Sequence, residues 1–132
     1  MRFFQVSSGE GIKLVEAMVV CCGKDINMCI VGGDTFHIGA SSLAVPRPSL
    51  KRNNEISASA SVICVTSHKE DQIAREASLR FAATFNARVC VSCGLHIDDA
   101  TDNDISELYS NFLQVLDKIE EDLLKMLSDT VG

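Results

Sequence analysis

The chain has no tryptophan and only one tyrosine among its 132 residues. Proteins that bind single-stranded nucleic acid stack its bases on aromatic side chains, so this composition argues against such a role. No segment approaches the roughly 18 consecutive apolar residues that a membrane-spanning helix needs. The sequence therefore predicts a protein that contacts neither nucleic acid nor a membrane.

The first four residues lead into glutamine and serine, not into the long apolar segment of a signal peptide, so we expect a cytoplasmic protein. Five of the six cysteines lie in apolar, strand-like segments, where free cysteine behaves as a small hydrophobic residue. Cys90 and Cys93 have the C-x-x-C spacing, but they fall in a predicted strand and no second pair completes a zinc site. We expect reduced thiols and no metal held by cysteine.

The net charge of −6 is concentrated near the end of the sequence. Residues 102–132 contain eight acidic and two basic residues, whereas the first 101 contain ten of each. This balance excludes the strongly basic face that non-specific nucleic-acid binding requires. The acidic residues are those of a well-solvated outer helix face.

Motifs of common catalytic and phosphate-binding sites are also missing. The glycines at positions 9, 11, 32 and 33 form segments that are too short for a phosphate-binding loop and that precede strands. No G-x-S-x-G sequence is present to supply a serine nucleophile. The residues themselves therefore favour binding over catalysis, and we expect no catalytic residues.

Hydrophobic and turn patterns predict five strands and two helices. The predicted strands cover residues 12–22, 26–31, 36–45, 57–67 and 88–93. The first helix is expected to begin in a capping sequence at residues 67–70 and to end at Asn86. The second begins at Thr101 and carries a long apolar stripe. Residues 46–55, with Pro46 and Pro48, are expected to form the longest loop.

This order of elements predicts a single α+β domain over residues 1–132, with a largely antiparallel sheet and two helices packed on it. The histidines His37, His68 and His96 each lie at the end of a predicted strand, in a short polar turn. Residues at strand ends can meet at one edge of a sheet, where ligands commonly bind in α/β proteins. We therefore predict that the three histidines form one functional edge.

Positive charges around His68 indicate an anionic ligand. His68 and Lys69 stand at the beginning of the first helix, where free N–H groups and the helix dipole attract anions. Arg47, Lys51 and Arg52 lie in the preceding loop. We expect these side chains to close over a phosphate or a carboxylate.

Two other interpretations stay open. Neutral imidazoles are common metal ligands, and the three histidines with Asp98 would suit a small metal-dependent enzyme, although no H-x-x-x-H spacing supports it. A protein that only takes part in assembly would instead bind its partner through the edge of the sheet or the acidic helix.

Five short segments resemble those of one known family in their order and spacing. They are residues 37–40 (HIGA), 44–49 (AVPRPS), 57–60 (SASA), 68–71 (HKED) and 94–96 (GLH). From about Gly9 to the last helix, the chain resembles the LpdD-like family, small proteins associated with prenylated-flavin-dependent decarboxylases of aromatic acids such as gallate and protocatechuate. Ser67 stands where that family has glycine, and Cys93 where it has alanine.

The resemblance implies a fold similar to that of proteasome assembly chaperones and a non-catalytic role as a flavin chaperone or accessory subunit. Such a protein would hold prenylated FMN, or FMN itself, or dock on a decarboxylase subunit, and we expect it to be a homodimer without a metal. The matching residues that would contact the cofactor are His37, Arg47, Ser49, His68, Lys69, Glu70, Asp71 and His96.

Overall fold

A computed structural model describes residues 1–65 and 70–131, with side chains through residue 128. In this part of the chain the strands are β1 (Arg2–Ser8), β2 (Val15–Cys22), β3 (Asp25–Gly33), β4 (Ala40–Pro48), β5 (Ile56–Cys64) and β6 (Val89–His96). The helices are α1 (Glu70–Phe85), between β5 and β6, and α2 (Asp102–Val131) at the end. A short 3-10 turn, Gly11–Lys13, separates β1 from β2.

The six strands form one sheet in the order β1-β2-β3-β6-β4-β5. Neighbouring strands are antiparallel, except for β3 and β6, which run parallel. The last strand along the chain, β6, thus lies in the interior of the sheet. The predicted single α+β domain with a largely antiparallel sheet is confirmed.

Both helices pack on one face of the sheet. Helix α1 contacts β4, β5 and β6, and α2 contacts β1 and β2. The helices lie side by side, and Arg80 of α1 donates to Asp117 of α2 across 2.8 Å. Alternate residues of the strands form the core beneath them, among them Val15, Ala17, Val19, Val89 and Val91.

The other face of the sheet, which we call the open face, is formed by the outward side chains of all six strands. None of the described elements covers it. Several of its large apolar side chains are exposed, and Ile63 is the most exposed of them at 79%. The others are Phe3, Met18, Leu43 and Val45.

The beginning of the chain differs from the prediction in two ways. The sequence pattern does not predict β1, because polar and apolar residues are mixed on both of its faces and the alternation is weak. Strand β2 begins at Val15 and not at residue 12, because Gly11, with a φ of 60°, opens the 3-10 turn.

The prediction that Pro46 and Pro48 end a strand and begin a loop is wrong. Strand β4 pairs with β6 only as far as Ala44, whereas its pairing with β5 continues to Pro48. Beyond Ala44, β4 is therefore an edge on its β6 side, where a missing N–H removes no ladder hydrogen bond. The strand also begins at Ala40 and not at residue 36, and residues 34–39 form a loop before it.

The remaining boundaries are close to those predicted. Strand β6 continues past Gly94 to His96, and α1 ends at Phe85. At the beginning of α2, the amide of Asp104 donates to the hydroxyl of Thr101, and the amide of Thr101 donates to the carboxylate of Asp104. This reciprocal cap confirms the predicted helix start. The capping sequence expected at residues 67–70 lies largely outside the described residues.

Within the described residues, neither helix has an apolar stretch long enough to cross a membrane.

Candidate functional site

The first turn of α1 places a carboxylate in the interior of the protein. Glu70 begins this helix, and its side chain is only 6% exposed. The carboxylate lies against Gly39, where an added Cβ would come within 2.5 Å of the carboxylate carbon. Only glycine leaves enough room for this approach. A carboxylate that is so enclosed requires hydrogen-bonding partners.

His37 is one partner of this carboxylate. Its Nε2 lies 2.8 Å from Oε1 of Glu70, and its Nδ1 lies 3.0 Å from the carbonyl oxygen of Thr35. A carbonyl oxygen can only accept a hydrogen bond, so Nδ1 of His37 carries a proton. When the ring is protonated, Nε2 also carries a proton and donates it to the carboxylate of Glu70. The hydrogen bond to Thr35 and then that to Glu70 raise the pKa of His37 above its ordinary value of 6.5.

His96, at the end of β6, lies beside His37. The ring centroids are 6.3 Å apart and the ring planes are nearly perpendicular, at 88°. Nε2 of His96 is hydrogen-bonded to the carboxylate of Asp98 at 2.9 Å. A side chain at Gly94 would collide with the backbone carbonyl of His37, so this small residue allows the two segments to approach.

Hydrogen bonds donated by two backbone amides join the same two loops. The amide of Asp34 donates to the carbonyl of His96 across 3.0 Å, and the Asp34 carboxylate accepts from the amide of Asp98 at 2.7 Å. His37 and His96 therefore meet at one edge of the sheet, as expected for a residue just before β4 and one at the end of its antiparallel neighbour β6.

A cleft of about 740 Å³ opens beside these residues, between the first turns of α1 and α2 and the end of β6. Most of the described residues that line it are apolar: Ile73, Leu95, Ile97, Ala100, Ile105 and Leu108. Its polar lining residues are Glu70, His96, Asp99 and Tyr109. Small-molecule sites typically have such a volume and an apolar wall with few polar groups.

Tyr109 connects the two helices beside the cleft. Its hydroxyl donates to the carboxylate of Glu76 on α1, at 2.9 and 3.0 Å from the two oxygens. This hydrogen bond raises the pKa of Tyr109. No sequence motif marks this residue as part of a site, although it is the only tyrosine and follows Leu108, a residue of the apolar stripe.

From the sequence, Arg47, Lys51 and Arg52 are expected to close over the start of α1. Within one chain this expectation is wrong, because they lie at the other end of β4. Arg47 pairs with Ser57 at the far end of β4, whereas Ala40, at the near end, pairs with Cys64. Arg47 is seven positions after Ala40, or about 23 Å further along the strand. Arg47 and Ser49 instead line a separate hollow beside Asn86, just after α1 ends.

The polar side chains of residues 47–52 contact neighbouring residues of the same loop and of β5. Arg47 donates to the hydroxyl of Ser59 at 2.8 Å and to the carbonyl of Pro48 at 3.2 Å. Arg52 forms an exposed ion pair with Glu55 at 3.5 Å. The hydroxyl of Ser49 accepts from the amides of Lys51 and Arg52, which is the hydrogen bonding of a turn-forming residue.

Of the other predicted site residues, His68 and Lys69 lie outside the described part of the chain. Asp71 is half-buried in the first turn of α1, but it is not among the described residues that line the cleft. The described residues include no group of three or more His, Cys, Asp or Glu side chains placed to bind a metal ion.

Cys90 and Cys93 point away from each other because they are three positions apart in one strand. Cys93 is fully buried beneath the helices, whereas Cys90 is half-buried on the open face. Burial raises the pKa of the Cys93 thiol far above its usual range. The two cysteines do not form a redox or metal-binding pair.

The fold belongs to a class that includes a proteasome assembly chaperone. A chain of the crystal structure of a chaperone complex for yeast 20S proteasome assembly matches with a TM-score of 0.53 and 20% sequence identity, covering 96% of this chain and 98% of that one. This likeness confirms the expected fold. No curated protein matches the sequence.

The sequence itself shows the family. The profile of the prenylated flavin chaperone LpdD-like domain matches residues 9–124. The chain belongs to this family, as its five short segments indicate.

Proposed function

We propose that this protein is a non-catalytic accessory protein that binds prenylated FMN and delivers it to a non-oxidative aromatic-acid decarboxylase, on which it docks. Membership of the prenylated flavin chaperone LpdD-like family supports a prenylated flavin as the cofactor. The structural observation that carries the proposal is the apolar cleft beside the buried Glu70 and its half-buried partner His37.

The cleft has the properties that a flavin carrier requires. Its volume of about 740 Å³ falls within the range of sites for drug-sized ligands. Its apolar wall suits a planar ring system that carries an added hydrocarbon group, since burial of apolar surface drives binding. The reactive chemistry of such a cofactor belongs to the cofactor itself, so a carrier needs only to bind and release it.

The same proposal places the protein in the cytoplasm. No disulfide joins any two of the six cysteines, all of which lie in the described residues, and several belong to apolar strands. Free thiols persist in a reducing compartment, and this composition supports the assignment.

We also propose that the protein is a homodimer that joins two open faces. The charged residues of this face, Glu16, Asp25 and Arg47, lie near strand ends, so its centre, a mixture of apolar and uncharged polar residues, carries no charge that would repel a second copy. Six strands of about eight residues cover about 750 Å². That area approaches the roughly 800 Å² per partner of a standard interface, and a twofold axis would bring the same face of each copy together.

The direct test of the cofactor role combines binding with delivery. Prenylated FMN should raise the melting temperature of the protein, because a ligand that binds only the folded state stabilises it. Protein loaded with this cofactor should then activate a decarboxylase that lacks it faster than the free cofactor does at the same concentration.

A protein that binds neither flavin nor its prenylated form would contradict the carrier role. Co-purification with a decarboxylase in the absence of any flavin binding would instead identify a protein that acts only in assembly.

A further inference from the structure

Two residues of opposite charge lie near opposite ends of the open face. Glu16 in β2 stands between Val15 and Ala17, which are buried beneath the helices, so its side chain points to the open face. Arg47 in β4 is three positions after the buried Ala44 and points the same way. Both side chains are therefore placed to meet a second sheet that packs on this face.

Glu16 and Arg47 are too far apart to contact each other within one copy. Through its pairing across β3 and β6, Glu16 lies level with the start of β4, whereas Arg47 lies near the end of that strand. The two residues are about 25 Å apart along the strands and about 14 Å, or three strand spacings, apart across them. A second copy supplies both complements at once, because the face that carries the carboxylate also carries the guanidinium.

Both charges remain available for such a contact. Within the described residues, no ion pair or side-chain hydrogen bond includes Glu16. Arg47 uses two of its five N–H groups in hydrogen bonds within its own hairpin. Asp25, the third charged residue of the face, is held within its own chain, because its carboxylate accepts from the amide of Arg88 at 3.1 Å.

A twofold axis can exchange the two positions. An axis that lies in the interface, midway between Glu16 and Arg47 and perpendicular to the line joining them, brings each residue to the other's position in the second copy. Because that line runs mainly along the strands, the axis runs mainly across them. The strands of the two sheets then point in roughly opposite directions. An axis along the strands would instead bring the basic residues of both 47–52 loops to the same end, where like charges repel.

We infer that the homodimer joins its open faces with the strands of the two sheets in roughly opposite directions, so that Glu16 of each copy pairs with Arg47 of the other. This inference rests on the proposed homodimer and specifies its orientation. The two clefts then lie at opposite ends of the dimer, because each is at the end of the sheet where β4 begins. Each cleft is separately accessible to an accepting enzyme.

Charge reversal, followed by sedimentation equilibrium of the full chain, tests this orientation. Glu16→Arg and Arg47→Glu should each weaken the dimer about tenfold, because symmetry converts two attractive contacts into repulsive ones. The double variant Glu16→Arg/Arg47→Glu should recover an affinity within about threefold of that of the unaltered protein. Glu10→Arg makes the same charge change outside the open face, in the loop after β1, and should change the affinity by less than about threefold.

A mixture of the two single variants provides a second measurement. In a mixed dimer arginine again faces glutamate at both contacts, so Glu16→Arg and Arg47→Glu should bind each other more tightly than either binds itself. The losses in the single variants should become smaller at about 1 M salt, which screens charges that remain in contact with solvent.

An unaltered dimer that neither single variant weakens, or a double variant that dissociates as readily as the single ones, would overturn the orientation while leaving the homodimer intact. An unaltered protein that stays monomeric at micromolar concentration would contradict the homodimer itself. If a charge-reversed variant does not fold, Glu16→Gln and Arg47→Gln decide in its place. Each should weaken the dimer about threefold, and unchanged affinity in both would overturn the orientation.

Discussion

The imidazole of His37 and the carboxylate of Glu70 lie 2.8 Å apart and join the loop before β4 to the first turn of α1. Since Glu70 also lines the cleft, the contact connects the stability of this edge of the sheet to the shape of the candidate binding site.

The stabilisation that the contact between His37 and Glu70 gives the folded protein should decrease as the pH rises. The raised pKa of His37 means that the folded protein holds the proton more tightly than the unfolded chain, whose value is 6.5. The stabilisation is therefore fully present below that pH and is lost as the pH rises through the folded-state pKa. Urea unfolding of the unaltered protein and of His37→Gln should show a larger difference at about pH 6 than at about pH 8.5. A difference that grows with pH would contradict the assignment.

Close backbone packing should make Gly94 sensitive to substitution. A Cβ at this position would collide with the His37 carbonyl, whereas a Cβ at Gly23 would meet nothing. Gly94→Ala should lower the free energy of unfolding by about 3 kcal/mol through overpacking. Gly23→Ala, with a φ of 63°, should lower it by only about 1 kcal/mol through backbone strain. Equal losses in chemical denaturation would show that the predicted collision is relieved.

A buried pair of hydroxyl groups connects β4 to α1. The hydroxyls of Ser42 and Ser78 lie 2.7 Å apart, and that of Ser78 donates to the carbonyl of Arg75. Ser78→Ala should cost about 1–3 kcal/mol because it leaves the Ser42 hydroxyl buried without its acceptor. Adding Ser42→Ala should recover part of this loss, and a double-mutant cycle measures the coupling. Strictly additive losses would mean that the hydroxyls do not interact.

The proposed dimer makes a clear prediction for the open face. Leu43 lies on β4 and is 48% exposed on this face. The Leu43→Asp substitution would bury a charge in each protomer of the dimer. Analytical ultracentrifugation should show a dimer for the unaltered protein and a monomer for this variant. Leu124→Asp, at a similarly exposed leucine of α2 (52%), is the matched control and should stay dimeric. A monomeric unaltered protein at micromolar concentration would refute the interface.

The sequence predicts the helices and most strands well because their hydrophobic periods are clear. It misplaces the end of β4, because proline ends a strand only where the strand has neighbours on both sides. Pairing with β6 stops at Ala44, and nothing local in the sequence encodes that length. Strand β1 is missed because Phe3 and Phe4 give both faces an apolar residue.

The candidate site is predicted only in part for a similar reason. His37 and His96 meet because β4 runs antiparallel to β6, and the same arrangement moves Arg47 to the opposite end. Local patterns give the ends of strands but not the order in which strands pair. Ile105 and Tyr109 reach the cleft from a helix whose apolar stripe predicts only a packing role.

The location of the bound flavin is the central claim, and the absence of tryptophan from the chain allows a direct measurement. Tyr109→Trp places a fluorescent reporter in the cleft, and Leu127→Trp places one about 27 Å further along α2. Titration with FMN or prenylated FMN should quench the emission at position 109 strongly and that at position 127 weakly, because energy transfer to the flavin falls steeply with distance. Equal quenching at the two positions, or stronger quenching at 127, would contradict binding in the cleft.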